Sequence, residues 1–212
     1  LHRTQKSPRL IQKSTTQNST NYLYRTLSFY PQTMTQHALL GHLEDELREV
    51  LDFVRTQIAA QPDEVMRHRP DTESWNGYEC FAHLNALSDA YLSRIELAIH
   101  KAKARKWLSV EPLRYTARGR RAIRRADPAN TKKYKSAKRY NFSHQPVGPE
   151  QVKAFSIHVE RMLRLIQQAR EVDLNKATIR KAHSWVGEYT LGNLLEYLVK
   201  HTLRHVGQVR IV

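Results

Sequence analysis

His201 and His205 stand four residues apart near the C-terminal end of a 212-residue chain, and His83 lies far upstream of them. At about 100° per residue the pair projects about 40° apart, inside the arc of Leu191, Leu194, Leu198 and Val209, so both imidazoles point into a core. His83 falls about 40° from Leu87 on its own helical stripe, facing the interior or its edge. Two histidines at i and i+4 can place two nitrogens on one divalent metal ion. A third imidazole from a facing helix completes a three-nitrogen set of the catalytic type, with a coordination position left for water or substrate. The same residues can also be read as core histidines, each bonded to a carbonyl or hydroxyl. Against that reading stands the cost of desolvating two imidazoles centred on one apolar stripe.

Other side chains near these three have two readings each. Glu79, one turn before His83, could orient an imidazole or act as a base, but its position three residues after Asn76 equally completes a capping box. Arg204 and Gln208 are candidates for contacting a bound ligand, with a solvated or interface role as the alternative. Cys80 reads as a small buried hydrophobe rather than a ligand. Trp75, Tyr91 and Trp185 could line a pocket or simply fill the core.

The elements that must position these residues are helices. Seven glycines are few for a glycine-punctuated β-sandwich. Leu40, Leu43, Leu47, Val50, Leu51, Val54 and Ile58 recur at steps of three and four, and Gln61-Pro62-Asp63 ends that pattern. A second helix is expected from a cap at Asn76 to about Lys103, with Cys80, Leu84, Leu87, Tyr91, Ile95 and Ala98 as its stripe. A third opens at Gly148-Pro149-Glu150 and ends near Arg170; a fourth follows Thr190, placed to cap it. These four predict an all-α protein, an antiparallel four-helix bundle with one long crossover between its second and third helices.

Residues 1–33 are rich in Ser, Thr, Gln and Asn, basic and without acid, and read as a disordered leader or a non-native extension ahead of Met34. Residues 34–212 are expected to form a single domain. The formal charge of +15 is concentrated in the crossover, where Arg114, Arg118, Arg120, Arg121, Arg124, Arg125, Lys132, Lys133, Lys135, Lys138 and Arg139 face only Glu111 and Asp127. A segment of this length without clear period is unusual in a compact domain. Short helical pieces are expected around Arg118–Arg125. No apolar run nears the roughly 20 residues that cross a bilayer. One cysteine rules out an internal disulfide and leaves a cytoplasmic location as the default expectation.

Two segments resemble one family. Ser74-Trp75-Asn76-Gly77-Tyr78-Glu79-Cys80-Phe81-Ala82-His83-Leu84 is similar to the motif that opens the second helix of DinB/YfiT-like proteins, and the H-x-x-x-H-x-x-Q pattern of His201, His205 and Gln208 resembles their last-helix motif. The likeness runs over roughly residues 36–212. It implies a four-helix bundle in which His83, His201 and His205 bind nickel, zinc, iron or manganese. The family includes metal-dependent thiol S-transferases and a mycothiol-linked isomerase, and the expectation for this chain is a metal-dependent hydrolase or a thiol S-transferase acting on a small-molecule or thiol substrate. The long basic crossover departs from the shortest members. Two other functions stay open: a nucleic-acid-binding module using the Arg114–Arg139 segment, with Tyr115, Tyr134, Tyr140 and Phe142 available to stack on bases, and a non-catalytic helical bundle. Exposed helix faces would suit a homodimer, with no membrane association expected.

Overall fold

The structure is a computed structural model, and residues 34–182 and 187–209 are described. Helix α1, Gln36–Phe53, begins where the Thr35 hydroxyl accepts the Ala38 amide at 3.0 Å, and continues as a π turn over Val54–Ile58. Its leucines at 39, 40, 43 and 47 are almost fully buried, as their spacing requires. A short helix α2, Asp63–Arg67, leads to α3, Gly77–Ala104, whose start is fixed by the expected capping box. The Asn76 Oδ1 accepts the Glu79 amide at 2.9 Å, and Glu79 Oε2 accepts the Asn76 amide at 3.1 Å. Helix α4, Ala117–Ala126, and a 3₁₀ turn at Lys138–Tyr140 lie in the crossover; α5, Glu150–Ala169, follows it. A two-stranded antiparallel sheet, β1 Thr178–Arg180 with β2 Glu188–Thr190, precedes α6, Leu191–Val209.

The all-α class expected from periodicity is therefore present, with that small sheet and an isolated antiparallel bridge between Leu108 and Val172 added among the described residues. Four long helices share the core: α3 and α1 each pack against both α5 and α6. Phe81 of α3 meets Phe155 of α5 with ring centroids 5.0 Å apart, both rings buried. Burying such a ring contributes roughly 1.5–3 kcal/mol. Between α1 and α6 the core holds an ion pair, Lys200 Nζ to Glu46 Oε1 at 2.9 Å.

The crossover is folded rather than loose. The Glu111 carboxylate accepts the Gln36 amide at 2.6 Å at the start of α1, and the Leu113 amide reaches the Met34 carbonyl. The Thr116 hydroxyl caps α4 through the Gly119 amide, while the Thr116 amide donates to Asn193 Oδ1 at 2.9 Å. Helix α4 then lies along α6 in the same direction: its first turn meets Asn193, and the carbonyl following its last turn, that of Asp127, meets Arg204. Gly119 permits this approach, since a Cβ there would fall 2.6 Å from Asn193 Cγ.

Two expectations need correction or restriction. Thr190 directly precedes α6, but it ends β2 and its buried Oγ1 makes no hydrogen bond, so the hydroxyl does not cap the helix. The expected leader, together with His183 and Trp185, lies outside the described residues.

Candidate metal centre

The cap at Asn76 places His83 in the second turn of α3, 6% exposed, facing the last turns of α6. There His201 and His205 share one face, as their spacing predicts. His83 Nε2 lies 2.8 Å from His201 Nε2, and the ring centroids are 4.7 Å apart for His83 and His205 and 4.5 Å for His201 and His205. One candidate ligand nitrogen from each of the three lies within 4.8 Å of the others. Trp75, just ahead of the cap, sets its ring against two of them, 4.8 Å from His83 and 5.8 Å from His205, and Tyr197 lies 5.6 Å from His201.

The environment decides which nitrogens are available. His83 Nδ1 donates to the Tyr140 carbonyl at 2.7 Å, and His205 Nδ1 donates to Gln208 Oε1 at 2.7 Å. An oxygen acceptor at Nδ1 requires the proton there, so Nε2 of each neutral ring carries the lone pair, which in His83 accepts from His201 Nε2 at 2.8 Å. Burial lowers the pKa of all three. His83 is lowered despite the opposing Tyr140 carbonyl, His201 is driven well below its ordinary value by burial and its two neighbours, and His205 falls to about 3. The cluster is thus held neutral, the state a metal ligand needs. With two Nε2 lone pairs directed into one cluster and two Nδ1 atoms tied off behind them, the donor set suits a divalent ion that accepts imidazole, such as nickel, zinc, iron or manganese.

The other candidates take different places. Glu79 Oε1 accepts from Arg69 and from the His144 amide at 2.6 Å, while Oε2 completes the capping box, so this buried carboxylate anchors the helix start. Arg204, one of the two ligand-contacting candidates, donates to the Asp127, Asn130 and Lys132 carbonyls. Gln208, the other ligand-contacting candidate, orients His205. Cys80 is buried with its thiol pushed up to about 12, in keeping with a hydrophobic role. Tyr91 is core, its hydroxyl accepting the Ala182 amide at 3.2 Å. The Tyr140 carbonyl is the functional group the sequence did not mark: it is backbone, and no side-chain pattern announces it.

A helical protein with a buried three-histidine cluster across two helices is the class that fold and site define. The family model of the DinB superfamily matches residues 34–209, and the chain belongs to that superfamily. No curated protein and no solved structure matches it. No helix among the described residues is long and apolar enough to cross a membrane.

Proposed function

We propose that the protein binds one divalent metal ion through His83, His201 and His205, and that it acts as a metal-dependent hydrolase or as a transferase using a small thiol. The observation that carries this reading is the convergence of three neutral imidazoles on one point, two with their Nδ1 protons already committed to oxygen acceptors. A bound ion would supply Lewis acidity, or lower the pKa of a coordinated water or thiol to give a nucleophile near neutral pH. The chain's own residues orient and shield: the Tyr140 carbonyl and Gln208 fix the tautomers of His83 and His205, and Trp75 covers both rings on one side. Glu79 is not assigned as a base, because its carboxylate already binds the Asn76 and His144 amides and Arg69.

Elemental analysis of untagged protein purified without added metal tests the reading. The expected result is about one equivalent of a transition metal per chain, lost in both His83→Ala and His201→Ala. Metal-free wild-type protein whose stability does not respond to added nickel, zinc, iron or manganese would overturn it.

A further inference from the structure

The eleven basic residues between Arg114 and Arg139 are all exposed, and none forms an ion pair with a carboxylate among the described residues. Outside this segment Arg48, Arg55, Arg67, Arg69, Arg161, Arg170 and Arg180 each meet Asp or Glu. Of the two acids in the crossover, Glu111 accepts the Gln36 amide and Asp127 Oδ1 accepts the Ala129 amide. Unbalanced positive charge is therefore concentrated in one segment, where like charges repel.

The backbone under this charge is fixed. Helix α4 turns Gly119 and Ala126 inward against α6, and its five arginines, 118, 120, 121, 124 and 125, span roughly 160° of the opposite side. The chain beyond α4 folds back on it: Asn130 Nδ2 donates to the Arg124 carbonyl at 2.9 Å, and the Arg125 guanidinium lies 4.7 Å from the Tyr134 ring centroid. Arg204 fixes the same stretch through three carbonyls. An arginine-rich face on an anchored backbone presents its charge at a lower ordering cost than a loose tail would.

We propose that this face binds the phosphate backbone of nucleic acid. Guanidinium groups match phosphate oxygens in bidentate geometry, and a ten-residue helix, about 15 Å long, runs beside roughly nine phosphate charges of a duplex. An anionic bilayer fits less well, because the apolar side of α4 is already spent on α6 and leaves no apolar face to enter lipid. The surface acts by charge, without base-specific readout, and does not depend on metal at the histidines.

Fluorescence anisotropy with a labelled 20-base-pair DNA duplex and a labelled 20-nucleotide RNA, using the full chain across a salt series, tests the proposal. The comparison variant combines Arg121→Gln, Arg124→Gln, Lys135→Gln and Lys138→Gln; a second replaces Arg3, Lys6 and Arg9 with Gln. Binding to at least one probe should weaken linearly in log salt. The crossover variant should lose at least about tenfold in affinity and flatten the slope by about 0.9 for each duplex phosphate contact removed. Its melting temperature and metal content should stay at wild-type values, and the leader variant should keep most of the binding. Absence of binding at about 50 mM salt, an unchanged slope in the crossover variant, loss confined to the leader variant, or binding to phosphatidylserine vesicles alone would each overturn it.

Discussion

The histidine cluster and the basic crossover treat charge in opposite ways, although one stretch of backbone builds both. At the cluster, burial above all keeps three imidazoles neutral, helped at His201 and His205 by neighbouring imidazoles and the Arg204 charge, while the Tyr140 carbonyl and Gln208 accept hydrogen bonds. Along α4 and the chain after it, cations accumulate in water with no ion pair to a carboxylate among the described residues. The crossover runs from the second surface to the first: it is held on α6 by Arg204 and then delivers the Tyr140 carbonyl to His83. Where the backbone supplies the polar contact, a residue's type says little about its role. Where the side chain faces solvent, its type says nearly everything.

Acidification separates the two regions most strongly. A histidine whose folded pKa lies below its unfolded value binds fewer protons folded than unfolded. Stability therefore rises with pH through the interval between the two values and is lost as pH falls below the upper one. For His205 that interval runs from 6.5 down to about 3, and His83 and His201 shift in the same direction. Between pH 7 and about pH 5, His205 alone should cost metal-free protein on the order of 2 kcal/mol, with the other two adding to it. Urea unfolding of metal-free protein over that range measures the loss, and His205→Gln should reduce it. Glu44 shifts the other way, its carboxyl held at about 2 by Arg48 and Arg170. Its stabilisation is complete above its ordinary value of 4.5 and disappears only below it, so a flat profile from pH 7 to pH 5 would sink the prediction for the cluster.

Arg204 joins the two regions, and its removal should give the next largest effect. Arg204→Ala leaves the Asp127, Asn130 and Lys132 carbonyls without their guanidinium donor. Losing hydrogen bonds to a charged group costs roughly 2–3 kcal/mol here. Denaturant unfolding should show that loss. Because the crossover also orients His83, metal affinity should fall with it although Arg204 is not among the proposed ligands. A variant that loses stability but keeps metal affinity would break the link between the two regions.

Much of this arrangement is legible in the amino-acid sequence. Steps of three and four among Leu40, Leu43, Leu47 and Val50 mark α1, Asn76 and Glu79 mark the start of α3, and the i, i+4 spacing of His201 and His205 puts both on one face. Local rules suffice there because helix period and capping are local. Arg204 and Gln208 are legible as polar residues on the last helix but not as a clasp and an orienting group, since their partners are distant carbonyls in one case and His205 itself in the other. Thr190 has a capping residue's type and position, yet its hydroxyl is buried without a partner because the small sheet precedes the helix. The docking of α4 on α6 is hidden for a similar reason: it rests on Gly119 clearing Asn193, a contact between positions 74 residues apart in sequence.

Gln208→Leu tests the orienting group with a smaller effect. Removing an outer hydrogen-bond partner typically weakens metal binding about 10- to 100-fold. The variant should show that loss in competition with a chelator while its metal-free melting temperature changes little, because Gln208 is exposed. An unchanged affinity would mean that the Gln208 contact is incidental to the cluster.

Arg121→Gln should have the smallest effect on the fold. Arg121 is exposed on the outward side of α4 and enters no ion pair with a described residue. Surface changes of this kind usually stay within about 0.5 kcal/mol, and glutamine is nearly as good a helix former as arginine. If unfavourable repulsion among the neighbouring arginines dominates, the change should be slightly stabilising, and the gain should shrink as salt is added. Denaturant midpoints at about 50 mM and 500 mM salt measure it. A loss above about 1 kcal/mol would show that the arginine face serves the fold itself, and the contrast with the histidine cluster would then be one of two structural devices rather than of a neutral core and a surface held ready for an anionic partner.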